Sequence, residues 1–296
     1  MGEDVFRIRR SRWGEEGMRQ HGVIMEDGTK LEYLTFPLLD GIPGVRHLFS
    51  TRLGGVSRGE FASMNLSFSR GDREADVLEN YRRIAGVLGC SMEDMTASHQ
   101  THTTNIRHIT PQDRGKGIVR EQDYEDVDGL ITQEPGIALV TSYADCVPLY
   151  FVDPVRRAIG LAHSGWRGTA ARMGACMVRA MERNFHTKAE DLYAAVGPSI
   201  CRDCYEVSQE VAEQFTELGE KVVLPGREPG KYQLDLWLAN QRILEQTGIP
   251  KKQIAITDLC TCHNSSYLFS HRASGGKRGN LGAFLMLMPD RTLKKL

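Results

Sequence analysis

Nowhere in the chain does an apolar run approach the about 18–20 consecutive residues needed to cross a bilayer. The N-terminal MGEDVFRIRRSRWGEEG carries charges and no apolar core, unlike a secretory leader. A soluble, cytoplasmic protein is expected. Phe6 stands where a myristoylation signal needs Ser or Thr. An excess of one charge is also missing: 37 basic against 38 acidic side chains leave a net charge of −1. There is then no overall field to draw in nucleic acid or an anionic membrane, so neither is expected as a partner. Nothing marks an obligate protein partner, since Trp13, Trp166 and Trp237 are scattered. No P-loop, dinucleotide fingerprint, internal repeat or low-complexity linker is found. The seven cysteines, at 90, 146, 176, 201, 204, 260 and 262, are odd in number and irregularly spaced. That excludes a regular secreted disulfide framework and points to reduced thiols.

What is present is enough for a large core: 296 residues, 41% hydrophobic and 25% charged. Residues 1–30 are polar and weakly patterned, which predicts a peripheral N-terminal arm, with a single catalytic domain over 31–296. Val77, Leu78, Tyr81, Ile84, Ala85 and Leu88 recur at helical spacing before Gly89, predicting a helix over 75–89. Further helices are predicted over 169–185, where Met173, Met177 and Met181 form a core-filling stripe, and over 208–218 and 235–247. Strands are predicted at 45–51, 105–110, 127–132, 192–197, 254–259, 266–270 and 282–288. The apolar runs 136–146 and 158–163 read as two buried strands of one sheet. Strands alternating with helices predict an α/β or α+β fold, one compact domain with a mixed sheet flanked by helices.

The chemistry concentrates where those runs end. Cys146 closes one in Y-A-D-C-V-P, next to Asp145, and His163 closes the other before S-G-W-R-G. Gly165 and Gly168 suggest a tight turn, with Trp166 and Arg167 free to pack against a ligand. In S-H-Q-T-H-T-T-N (98–105), the Thr-rich context favours extended backbone, which sends His99 and His102 to opposite sides. His102 is the preferred site residue and His99 is expected in core hydrogen bonds. Two imidazoles and a thiolate suit zinc with an open fourth position. Two basic glycine-rich turns, 51–59 and 270–280, offer anion nests in which Arg52, Arg58, Arg272, Lys277 or Arg278 would clamp phosphate. Cys201, Cys204, Cys260 and Cys262, followed by His263, form a second conceivable zinc set. The C-x-C spacing is unusual for zinc and no glycine-rich knuckle surrounds it, so apolar buried thiols are the preferred reading.

The motifs STRLGGVS (50–57), MNLS (64–67), HQTHTTNI (99–106), DVDGLIT (126–132), YADCVPLYFVDP (143–154), GLAHSGWRGTAARM (160–173), VGPSICRDCYEV (196–207) and LFSHR (268–272) occur in order over about 34–288. Together they resemble the multicopper polyphenol oxidase, or laccase-like, family, now understood as zinc-dependent purine nucleoside phosphorylases that also deaminate adenosine. The resemblance implies a zinc site at His102, Cys146 and His163, and phosphate and substrate contacts at Arg52, Asn65 and Arg272. It implies a nucleoside (adenosine, inosine, guanosine or methylthioadenosine) and phosphate as substrates. Similar proteins continue S-Y-R-x-x-x-x-x-T-G-R, whereas this chain has His271, Arg278 and Asn280, which moves the last arginine's charge to Arg278. The family's cysteine-rich tail recurs without a known metal. Its fold is similar to toxin-like cysteine hydrolases, which implies an alternative activity with Cys146 as nucleophile and His163 or His102 as base, acting on cell-wall precursors. Copper oxidation is the less favoured reading, because the nine histidines include no H-x-H pair.

Overall fold

The computed structural model describes residues 8–11 and 17–289. Gly2, Phe6 and Trp13, on which the N-terminal readings draw, lie outside the described residues. Two six-stranded sheets carry the fold. In the first, the strands run Arg19–Ile24, Lys30–Thr35, Val45–Ser50, Leu281–Leu287, Ala138–Tyr143, Met95–Ala97. In the second they run Ile254–Ile256, Tyr193–Val196, Val147–Asp153, Ala158–Ser164, Gly129–Thr132, Ile106–His108. Both are mixed: Met95–Ala97 lies parallel to Ala138–Tyr143, and Ile106–His108 parallel to Gly129–Thr132, while the long central pairs are antiparallel. A small three-stranded sheet, Glu206–Ser208, Lys231–Leu234 and Val223–Pro225, stands apart.

Strand alternation explains how the layers stack. Leu139, Tyr143, Leu281 and Leu285 of the first sheet pack against Tyr150, Val152, Ile159 and Leu161 of the second, forming one core between the sheets. Tyr143 and Tyr150 pin the layers by donating to the Ala162 and Leu48 carbonyls, at 2.9 and 3.0 Å. The opposite faces take helices. Val77, Tyr81 and Ile84 of the helix Glu74–Leu88 cover Val140, Phe284 and Met286. Met173, Met177 and Met181 cover the second sheet, approaching closely over Gly129 and Gly160. A Cβ at either glycine would lie under 3 Å from Met177, at 2.8 Å from its Sδ and 2.7 Å from its Cε. The methionine stripe is thus core filling. Mixed α/β architecture with several mixed sheets between helices is the result, and no described helix is long and apolar enough to cross a membrane.

Several elements differ from expectation. The runs at 136–146 and 158–163 belong to different sheets, because the chain crosses from one to the other at Ala144–Cys146. Tyr267, Leu268 and Phe269 are buried but run from a turn into irregular backbone, not a closing strand. The helix over 169–185 is two, Trp166–Ala170 and Met173–Phe185, divided at Arg172 with φ 60°. The helix over 208–218 is likewise short, Gln209–Glu213 followed by one 3-10 turn. Arg19–Ile24, inside the segment predicted as an arm, is an edge strand paired with Lys30–Thr35.

Candidate metal centre

The crossover between the sheets builds the site. Asp145 takes φ 86°, a left-handed conformation unusual for a non-glycine residue, and is held there from three directions. Its carboxylate accepts from Thr261 Oγ1 at 2.6 Å and from the Arg272 backbone N–H at 2.7 Å, and its carbonyl accepts from the Ile200 N–H at 3.0 Å. Cys146 follows directly. Its neighbour His163 ends the strand Ala158–Ser164 on the face that meets the first sheet, as register with Ile159 and Leu161 requires. His102 arrives on the loop 98–105, itself at φ 68°. The ring centroids of the two histidines are 4.9 Å apart, and His102 Nε2 lies 3.9 Å from Cys146 Sγ. One donor atom from each of the three residues falls within 4.8 Å of the others. A tetrahedral zinc ion would hold nitrogen and sulfur roughly 3.6 Å apart, so the set is close to closed around an ion.

Asp128, which the sequence reading passed over, organises this set. Fully buried at the entrance to Gly129–Thr132, it accepts from His163 Nδ1 at 2.7 Å. It also takes the backbone N–H groups of Thr101, His102 and Thr103 at 3.0–3.1 Å. Burial would raise its pKa, but the His163 and backbone donors bring it below the usual carboxylate range. With Nδ1–H committed to Asp128, the His163 Nε2 lone pair faces the donor set, the usual arrangement behind a metal-binding histidine. The signal in the sequence was an acidic residue leading straight into an apolar strand. A carboxylate so placed has to be paired.

Without an ion, the same residues polarise one another. Burial opposes ionisation of Cys146, yet the facing His163 charge and the His102 contact lower its pKa to about 6. Burial likewise works against His163, and the Cys146 and Asp128 charges overcome it, raising its pKa to about 9. Gly165 completes the enclosure. Its φ of −70° is ordinary, but a Cβ there would lie 2.9 Å from Cys146 Sγ and 3.1 Å from His102 Cδ2. Glycine is needed for space, and Trp166–Arg167 open a helix instead of the expected tight turn.

The three donors line a cleft of about 540 Å³, within the range of small-molecule sites. Arg70, Arg278, Phe68, His99, Ser142 and Asn280 share its wall. A slightly larger groove of about 600 Å³ beside it contains none of the donors. His99 is exposed at the cleft, where core hydrogen bonding had been expected. Arg278 Nε and Asn280 Oδ1 are buried without a partner. Burial, then repulsion from Arg70, lowers the Arg278 pKa to about 10, and both guanidinium-bearing residues line the one cleft, a wall suited to an anion.

Of the residues expected to hold phosphate, Arg278 is the one the structure brings to this cleft. Arg52 is turned to structural use: it donates to the Ala62 and Ser265 carbonyls at 2.9 and 2.7 Å and stacks on Phe269. Asn65 is fully buried with its amide committed to Ser67, Asp72 and the Asn280 N–H. It thereby ties the segment carrying Arg70 to the one carrying Arg278. Arg272 reaches the Cys204 carbonyl at 3.0 Å and lies over Tyr205. Arg58 and Lys277 are exposed away from the cleft wall.

Comparison with known proteins gives the chain's relatives. The model of the family described as multi-copper polyphenol oxidoreductase laccase matches residues 46–288. A Geobacillus stearothermophilus protein named purine nucleoside phosphorylase YlmD is 40% identical over 243 residues, 80% of this chain and 88% of that protein. A protein of an unknown prokaryotic organism named adenosine deaminase RL5 is 34% identical over 256 residues, 84% of this chain and 96% of its own. The crystal structure of the Bacillus licheniformis hypothetical protein YfiH superposes with a TM-score of 0.81 at 35% identity, covering 86% of this chain and 96% of that one.

Proposed function

The chain belongs to the multi-copper polyphenol oxidoreductase laccase family, and we propose that it is a cytoplasmic, zinc-dependent purine nucleoside phosphorylase that also deaminates adenosine. The observation that carries this reading is an open His102–Cys146–His163 donor set in a cleft whose wall holds two arginines, Arg70 and Arg278, neither of them in an ion pair with a carboxylate among the described residues. Adenosine, inosine, guanosine and methylthioadenosine are the substrates assigned, with phosphate as co-substrate. Catalysis is assigned to one domain over 31–296, with 1–30 as its periphery. The donor set itself favours zinc: a blue-copper centre adds an axial methionine to two histidines and a cysteine, and no methionine lines the cleft.

Bound zinc supplies Lewis acidity and water made acidic near neutral pH. The chain's own residues do the rest. Asp128 fixes the His163 tautomer and the His102 loop. For deamination, His99 is placed in the cleft to carry a proton between the attacking water and the leaving amine at C6. In phosphorolysis, Arg278 and Arg70 hold phosphate against the anomeric carbon, so that the C–O bond forms as the bond to the purine nitrogen breaks. Phe68, exposed at the cleft and stacked on Tyr81 at 5.6 Å, offers a face for the base.

The test is incubation of metal-analysed protein with adenosine, with and without phosphate, following adenine, inosine and ribose 1-phosphate by chromatography. Adenine and ribose 1-phosphate should appear only with phosphate, inosine in either case. Cys146→Ala should abolish both reactions. Arg278→Ala should raise the KM for phosphate about 10–100-fold, the worth of one or two charge-assisted hydrogen bonds, and leave deamination in place. Deamination retained by a zinc-free protein sinks the scheme. One observation favours a second reading: the Cys146–His163–Asp128 chain with its acidic thiol is also a hydrolase nucleophile set on a toxin-like cysteine hydrolase pattern. Metal-free turnover of an amide or ester, stopped by thiol alkylation, would put it first.

A further inference from the structure

A second cluster of soft ligands lies behind the cleft. Cys201, Cys204, Cys260 and His263 each present one donor atom within 4.8 Å of the others. We propose that these four residues form a closed, structural zinc site that staples two loops and thereby fixes the backbone leading into Cys146. It is separate from the cleft set and independent of the reaction assigned above.

Local structure explains how four residues from two distant segments converge. Cys201 and Cys204 flank a 3-10 turn, with the Cys204 N–H bonded to the Cys201 carbonyl at 3.1 Å. At three residues per turn, positions i and i+3 share one side. Cys260 and His263 have the same spacing. The second segment docks on the first through a parallel bridge between Ser199 and Cys260 and a Thr261 N–H bond to the Ser199 carbonyl at 3.1 Å. Cys201 and Cys260 are 3% and 1% exposed, so two of the sulfurs sit where only protein groups can satisfy them.

Backbone donors converge on the buried sulfur. Cys260 Sγ accepts the backbone N–H groups of Cys201 at 3.3 Å and His263 at 3.5 Å, and Cys201 Sγ lies 3.6 Å from His263 Nδ1. Backbone donors aimed at sulfur favour its charged form, and three thiolates with one imidazole are a standard closed zinc set. The spacing argument had paired Cys262 with the other cysteines. The structure puts His263 in its place, because the turn at 260–263 carries Cys262 out of the set. This also answers the missing glycine knuckle: the docked 199–201 segment supplies one of the N–H groups that such a knuckle would give.

The staple acts on the catalytic side through Asp145. Thr261, between Cys260 and Cys262, holds one carboxylate oxygen, and Ile200, next to Cys201, holds the carbonyl. Arg272, whose guanidinium grips the Cys204 carbonyl, holds the other carboxylate oxygen through its backbone N–H. Every bond that keeps Asp145 left-handed comes from the two loops or from a residue clamped to them. Binding zinc there would release the thiol protons to solvent.

Metal content of the full-length protein, purified under reducing conditions with zinc present, decides the matter. The wild type should hold about two zinc ions per chain. Cys146→Ala and Cys204→Ser should each hold about one, and the double variant close to none. Cobalt-loaded Cys146→Ala should show the intense thiolate charge-transfer bands of a tetrahedral three-sulfur site, a readout that needs no folded Cys204 variant. Loss of those bands in Cys146→Ala, His263→Gln supports the ligand set. A zinc-free Cys146→Ala protein overturns the proposal, as does wild-type metal content in Cys204→Ser or a Cys201–Cys204 disulfide in the native protein. None of these outcomes depends on turnover of a nucleoside, so the function and the staple fail separately.

Discussion

Replacing Asp128 by Asn changes no shape and removes one charge, which makes it the sharpest probe of the metal centre. The carboxylate uses one oxygen for His163 Nδ1 and the His102 N–H, and the other for Thr101, Thr103 N–H and Thr103 Oγ1. An amide has a single acceptor oxygen. Turned toward Thr101 and Thr103, it keeps two backbone donors satisfied and points its NH2 at His102 N–H and His163. The imidazole then accepts at Nδ1 and carries its proton on Nε2, where the metal's lone pair should be. One orphaned backbone donor and one lost charge-assisted bond cost about 1–3 kcal/mol each, so unfolding free energy should fall by roughly 2–6 kcal/mol. Metal affinity at the cleft set should fall at least about 10–100-fold. Competition with a chromophoric chelator measures the second quantity and denaturant unfolding the first. Thr103→Val is the comparison: it removes the hydroxyl's bonds to Asp128, the Asp126 carbonyl and the Asn105 N–H but leaves the carboxylate on His163, so it should cost some stability and little metal affinity. If Asp128→Asn binds metal as tightly as the wild type, Asp128 does not set the tautomer and the account of the centre is wrong.

Gly165→Ala tests enclosure instead of charge. Its backbone angles suit alanine, but the methyl would stand 2.9 Å from Cys146 Sγ and 3.1 Å from His102 Cδ2, so stability should fall by about 1–3 kcal/mol and metal affinity with it as the sulfur is displaced. An unchanged affinity would show that the loop yields freely. In metal-free protein, Cys146 should react with iodoacetamide as a thiolate at pH 7, the rate dropping as pH falls through about 6 and added zinc giving protection. The depressed pKa places the thiolate above that pH and the thiol below it. A midpoint near an ordinary cysteine's, about 8.5, would contradict the facing imidazolium.

Legibility in the sequence followed the range of the forces at work. The helix Glu74–Leu88 was readable because its apolar period and its stop are local: Gly89 takes φ 77° and its N–H closes on the Ala85 carbonyl. Cys146 and His163 were readable because they stand at the ends of apolar strands, and His102 because its Thr-rich loop carries a second imidazole. That 136–146 and 158–163 serve different sheets was not, since strands buried on both faces give the same unbroken apolar run whichever neighbour they take. Tyr267–Phe269 misled for the same reason, burial without a ladder. Arg19–Ile24 escaped because an edge strand exposed on both sides shows no alternation. Arg52 and Asn65 carried the right chemistry for an anion, but the Ala62 and Ser265 carbonyls bind the first, and Ser67, Asp72 and the Asn280 N–H bind the second.

Because Cys146 lies where the chain passes from one sheet to the other, while His163 and Asp128 stand with the second sheet and Gln100 anchors the His102 loop to Ser142 at the end of the first, the metal centre spans a seam. Its ligand spacing is therefore a gauge of how the two sheets are docked. A substitution deep between them, at Leu139 or Leu285, should alter the spectrum of a bound cobalt ion while the protein is still folded, turning the candidate centre into a reporter on how the sheets pack.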